Sequence, residues 1–87
     1  MTWFDDTFID PDKRREAIAL INEKGQDHLK YAGGDHGFGL FMLAIDYACR
    51  KRLGVSCFDL ADYCYRDAYD DGLTPVQTLK LALAAEF

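Results

Sequence analysis

Proline is scarce in this chain, with two residues in 87, Pro11 and Pro75, and no Gly/Ser-rich or repeated tract accompanies them. That excludes a polyproline spacer and a solenoid of repeats. Cysteine is limited to Cys49, Cys57 and Cys64, an odd number with no C-x-x-C pair. A secreted disulfide framework is disfavoured by that pattern. The longest apolar run is Leu40–Ile45, far too short to cross a bilayer. Met1–Asp5 has no basic residue and acids follow at once, so no secretory signal is expected. The alternation of strands is missing as well. Together these absences predict a soluble, cytoplasmic, all-α protein with no membrane segment.

A surplus of positive charge is also missing. The net charge is −5, unevenly spread. Residues 1–12 carry Asp5, Asp6, Asp10 and Asp12, for −4, and residues 56–87 carry another −4. Between them, residues 13–55 are basic, at +3. Gripping nucleic acid requires Lys and Arg to displace counterions, so the acidic balance points away from direct nucleic-acid binding and toward a basic protein partner. The abundant Tyr and Phe would equally serve a homodimer interface.

What remains is helix punctuation. Eighty-seven residues and 49% apolar content suit one domain with one core. The reading is a compact bundle of about four helices spanning residues 1–87, with short loops and an arm, residues 1–10, packed on the outside through Trp3, Phe4, Phe8 and Ile9. Asp10-Pro11 caps and opens the first helix, with Ala17, Ile18, Leu20 and Ile21 as its apolar face, and Gly25 stops it. A short turn over 26–32 takes Asp27 as its cap. The second helix starts at Asp35–Phe38 and ends at Gly54. Phe38, Phe41, Ile45 and Cys49 form its main stripe and Leu40, Leu43, Ala44 and Tyr47 cover much of the rest, which predicts a buried central helix. Asp46 and Arg50 stand in the favourable i,i+4 order. Ser56 and Asp59 open a third helix running to Asp71-Gly72. Thr74-Pro75-Val76-Gln77 is a capping box that opens the fourth, with a stripe of Val76, Leu79, Leu83 and Phe87.

Several stretches imitate chemistry. Gly33-Gly-Asp-His-Gly-Phe-Gly39 holds four of the seven glycines. It lacks the Lys-Ser/Thr of a phosphate loop, and Met42 stands where a dinucleotide loop needs its third glycine. Its GxxG, Gly34–Gly37, has no neighbouring sheet, and Asp35 would repel phosphate. The simpler account is a joint: Gly33-Gly34 ends one helix, Asp35 caps the next, and Gly37 and Gly39 admit a close neighbour. His28, His36 and the cysteines have no ligand spacing, so no metal and no cofactor is expected. Cys49 and Cys64 read as small buried hydrophobes. Cys57, placed in the first turn of the third helix, would be favoured as a thiolate by the dipole, with His36 as a base. No third group or oxyanion feature accompanies them, so an enzyme is not expected.

The third helix carries the most pointed pattern. As a continuous helix it gathers Asp59, Asp62, Tyr63, Arg66, Asp67 and Asp70 on one face, with an Asp62–Arg66 pair, and places Cys57, Leu60, Ala61, Cys64 and Ala68 on the other. A tyrosine among carboxylates suits contact with a basic surface, and those six residues are the predicted partner-binding set.

The segment RDAYDDGLTPVQTLKLALA, Arg66–Ala84, resembles the endings of small phage and plasmid proteins, in which an acidic helix breaks at Gly and restarts at Thr-Pro. The resemblance covers about a fifth of the chain. It implies the class of short acidic accessory proteins that block host machinery, of the anti-CRISPR or antirestriction inhibitor type. The expectation is therefore a non-enzymatic, inhibitor-like interaction module for a nucleic-acid-handling complex. Two alternatives stand beside it: a regulatory nucleic-acid-binding module using Lys13–Arg15 and Arg50–Arg52, or a small metal or thiol protein.

Overall fold

The computed structural model describes residues 2–60 and 63–86. Within them the regular structure is helical: α1 (Trp3–Thr7), α2 (Pro11–Lys24), α3 (Gln26–Tyr31), α4 (His36–Leu53), a single 3-10 turn (Cys57–Asp59), α5 (Tyr65–Asp70) and α6 (Pro75–Glu86). The all-α architecture stands, with more and shorter helices than the sequence suggests.

α4 is the axis on which the others pack. Its eighteen residues begin where the Asp35 side chain accepts the Phe38 N–H, and they end at Gly54, whose φ of 74° is the left-handed cap conformation. Phe38, Phe41, Ile45 and Cys49 are all buried, as the stripe predicts, and Leu40 and Met42 join them. Tyr47 lies outside this core and is 69% exposed. α1, α2, α3, α5 and α6 all pack against α4, and α1 and α5 meet there at Gly37 through Phe4 and Tyr69. Ile21 of α2 and Thr78 and Leu79 of α6 are the deepest side chains they contribute.

Gly39 explains the closeness of α3. A Cβ there would lie 3.3 Å from the Leu29 Cα, so the two backbones touch only because the side chain is absent. Gly33 and Gly34, at φ 66° and 90°, turn the chain from α3 into α4.

Four local expectations are corrected. First, the arm is not merely laid on the outside: Trp3–Thr7 is a helix, capped by Thr2, and Phe4 is buried in the core. Second, α3 is entered through the Gly25 backbone, and Asp27 sits inside its first turn instead of capping it. Third, α6 turns Pro75, Thr78, Leu79 and Ala82 inward, leaving Val76 46% exposed. Thr78 can be buried because its hydroxyl donates to the Thr74 carbonyl at 2.8 Å, so its polarity is already satisfied. Phe87 lies outside the described residues.

The fourth correction matters most. No continuous helix joins Ser56 to Asp71. The Ser56–Asp59 capping box forms, but around one 3-10 turn, after which Leu60 is extended and Cys64 leads into the separate α5. The inward face of α5 is Tyr65, Ala68 and Tyr69. Two tyrosine rings are turned inward in place of the Cys57, Leu60, Ala61, Cys64 and Ala68 face of a continuous helix, and Cys64 is left exposed.

Candidate interaction surface

The break before α5 decides where the predicted residues go. Asp59 folds back onto its own cap, its carboxylate accepting the Ser56 N–H at 3.3 Å. Asp62 lies outside the described residues, and so does the expected Asp62–Arg66 pair. Tyr63 is half-buried and meets Tyr65 edge-on, 5.4 Å between centroids. Arg66, Asp67 and Asp70 share α5 and are exposed. Asp59 therefore stands on the 3-10 turn while Arg66, Asp67 and Asp70 stand on α5, so the described residues of the set do not share one helical face.

Arg66 instead joins elements far apart in sequence. Its guanidinium donates to Asp35 at 3.1 Å, thirty-one residues back, and lies 3.3 Å from Asp70, the acid one turn ahead. It also lies over the Phe38 ring, 5.0 Å from the centroid. Partial desolvation works against its charged form, but the hydrogen bond it donates to Asp35 and the two carboxylate charges outweigh that and hold its pKa above the ordinary value.

A second arginine faces it. Arg14 of α2 donates to Asp5 of α1 at 3.2 Å and lies 4.4 Å above the Phe4 ring. Between the two arginines opens a cleft of about 520 Å3. Asp5, Asp35, Asp70, His36, Gly37 and Tyr69 line it. Gly34–Gly37, the middle of the glycine-rich stretch, thus form one wall, as a joint whose cap also takes part in an ion pair. His36 is half-exposed, and its ring Nε2 lies 3.2 Å from the Asn22 amide oxygen. The cleft gathers the two acidic regions of the sequence, the N-terminal segment through Asp5 and α5 through Asp70.

Behind α4 lies a second polar cluster that sequence reasoning reached only in part. Asp46, expected to pair with Arg50, is buried and serves four donors. Ser56 Oγ donates to it at 2.7 Å, the Cys57 N–H at 3.1 Å and Arg50 Nε at 3.3 Å, while His28 Nε2 lies 2.8 Å away. Burial pushes the carboxyl up, but hydrogen bonds from Ser56, His28 and Cys57, together with the Arg50 charge, outweigh burial and hold it below the usual aspartate value. The available signal was a lone acid, Asp46, within an apolar helix. Nothing in the local sequence names His28 as its partner.

The same cluster overturns the reading of Cys57 as a favoured thiolate. Cys57 is buried, and burial, followed by the nearby Asp46 charge, pushes its thiol up to about 12. The expected helix dipole is absent, since a three-residue 3-10 turn has almost none. Cys49 is buried as expected, and burial pushes its thiol up as well. Among the described residues no group of three His, Cys, Asp or Glu side chains is placed to hold a metal. Of the two basic patches, Arg14, Arg15 and Arg50 are ion-paired with Asp5, Asp12 and Asp46, whereas Lys13, Lys51 and Arg52 are exposed.

Residues 37–87, from the first turn of α4 onward, match the sequence model of DUF5419, a family of unknown function. The chain belongs to this family. The DUF5419 span takes in α4, α5 and α6, with Arg66, Asp67 and Asp70, and leaves α1, α2 and α3 outside it. Its relatives are small phage gene products. A Gene 87 protein of Mycobacterium phage L5 is 42% identical over 50 residues, covering 58% of this chain and 94% of its own length. A Gene 87 protein of Mycobacterium phage D29 is 43% identical over 49 residues, covering 56% of this chain and 91% of its own length. No solved structure matches the chain. Among the described residues, no helix is long and apolar enough to cross a membrane.

Proposed function

We propose that this DUF5419 protein is a non-enzymatic phage accessory protein that binds a basic surface of a nucleic-acid-handling complex, in the manner of anti-CRISPR inhibitors. The observation that carries the reading is the convergence of two acidic regions, sixty-five residues apart, on one cleft through Asp5 and Asp70. Each region carries −4, and Asp6, Asp67 and Asp71 are further exposed acids on or beside α1 and α5. Acids concentrated on one side raise the local field and steer a basic partner during encounter. The phage relatives fit an accessory role. The partner-binding residues in this reading are Asp67 and Asp70 with Arg66 as the positioning group between carboxylates, and Asp59, Asp62 and Tyr63 on the preceding segment.

The test is capture of partners from host lysate by the wild-type chain and by an Asp67→Lys/Asp70→Lys chain, with helicity checked by circular dichroism. The expected partner is a basic nucleic-acid-handling protein, released by salt, retained poorly by the variant, and inhibited when the wild-type chain is titrated in. Equal capture by both chains would remove the assignment of this face.

A further inference from the structure

A second opening, of about 360 Å3, has aliphatic and aromatic walls. Its floor is α4, through Leu40, Leu43, Ala44 and Tyr47. These fall at i, i+3, i+4 and i+7, so they share one face of the helix. The sides come from Trp3 of α1, Phe8 just beyond it, and Leu20 of α2. Trp3 meets both Phe8 and Phe41 edge-on, at 5.7 and 6.0 Å, which sets the α1 side toward the start of α4. Tyr47 is 69% exposed and Leu20 44%. Large side chains left this open around an apolar hollow mark a contact surface.

Charge selects the occupant. Beyond Tyr47 the same face of α4 continues to Lys51, at i+11 from Leu40, with Arg52 beside it, and both are exposed. At the opposite end stands Asp6, one turn after Trp3 on α1 and also exposed. The α2 rim is neutral, since Lys13 and Lys24 offset Glu16 and Glu23 around Leu20. The groove therefore runs from an acid at the start of α4 to bases at its end. A surface of that polarity complements itself when turned through half a rotation. An anionic membrane would instead call for bases along the whole rim.

The spacing fits the same operation. The eighteen residues of α4 have their midpoint between Ala44 and Ile45. A two-fold axis at Ala44, the smallest side chain of the stripe, sets two α4 helices antiparallel. Position 47 of one copy then comes level with position 41 of the other, and position 51 with position 37. Tyr47 thus meets the hollow beside Trp3 and Leu40 of the other copy, and Lys51 comes level with α1, which carries Asp6.

We propose that this groove is the interface of a symmetric, antiparallel homodimer, in which Tyr47 of each copy fills the hollow of the other and Lys51 pairs with Asp6. Of the acids invoked for the acidic face it uses Asp6 alone, so the inference stands without that reading.

The test is sedimentation velocity of the full chain across a dilution series, with the emission of Trp3, the sole tryptophan, as a second reading. The wild type sediments as a monomer–dimer equilibrium, and dilution shifts Trp3 emission to the red as the groove meets water. Tyr47→Asp raises the dimer dissociation constant at least about tenfold with far-UV ellipticity unchanged, as expected of a buried aromatic anchor. If Tyr47→Asp does not fold, Tyr47→Ala removes the ring without adding a charge and takes its place. Asp6→Lys and Lys51→Asp each weaken the dimer, and the double variant restores it, because the two charges are exchanged across the axis. A folded Tyr47 variant that dimerises like the wild type, or charge reversals that add instead of cancelling, overturns the proposal. So does a wild-type chain that stays monomeric at its highest soluble concentration, which would give the groove to a different protein.

Discussion

The His28 ring lies 2.8 Å from the buried carboxylate of Asp46, and the contact ties α3 to α4 across eighteen residues of chain. The same carboxylate accepts Ser56 Oγ and the Cys57 N–H, so one side chain fixes three consecutive pieces of the fold. Its removal leaves several buried donors unpaired. Asp46→Ala is expected to cost about 3 kcal/mol, the scale for breaking a buried charged hydrogen-bond cluster. Arg50→Ala, which removes the solvent-facing partner, is expected to cost under about 1 kcal/mol. Urea unfolding followed by far-UV ellipticity checks both, and equal losses would show that the cluster does not depend on Asp46.

The pH dependence follows from the same group. The folded-state pKa of Asp46 is lowered relative to the unfolded chain, so its stabilisation is fully present above the ordinary aspartate value and is lost as pH falls through the folded one. The acid limb of the stability curve should therefore steepen below about pH 4. Asp46→Asn should flatten that limb while leaving the shape near neutral pH unchanged, which thermal melts across an acid series would reveal.

Thiol chemistry should separate the three cysteines. With the Cys57 thiol pushed up to about 12 and both Cys57 and Cys49 buried, neither presents a thiolate to solvent near neutral pH. Native iodoacetamide treatment is expected to label Cys64 alone, and all three sites only in denaturant. Peptide mass spectrometry reads this directly. Fast native labelling of Cys57 would contradict its burial.

Gly37 offers a paired test of packing. Gly37→Ala gains helix propensity but drives a methyl group into the Tyr69 hydroxyl, and a net loss of about 1–2 kcal/mol is expected. Tyr69→Phe removes the obstructing oxygen, so the double variant should recover part of that loss. A double-mutant cycle in urea gives the coupling, and strict additivity would place the strain elsewhere, at Phe4.

Much of the fold was legible in local sequence because caps and stripes are local signals. Asp10-Pro11, Asp35, Gly54 and the Thr74–Gln77 box all act where they stand, and the Phe38–Cys49 stripe is buried as its spacing implies. The candidate site was less legible. Arg66 and Asp70 were named, but Asp5 and Asp35 reach them only through folding. Periodicity also favoured one long helix where the chain makes a 3-10 turn and a separate α5, since it ranks residues by type and cannot weigh two buried tyrosine rings against a row of cysteine, leucine and alanine.

By itself, then, the sequence determined an all-α chain with a buried central helix, the ends of most helices and an acidic, uneven charge. Those properties depend on residues within a turn or two of one another. Only tertiary structure decided that Asp46 gathers His28 and Ser56, that Arg66 bridges Asp35 to Asp70, and that Phe4 fills the space left by Gly37. Each joins side chains distant in sequence, and a buried polar group takes whichever partner the packing brings to it, because leaving it unpaired costs more than any local preference gains.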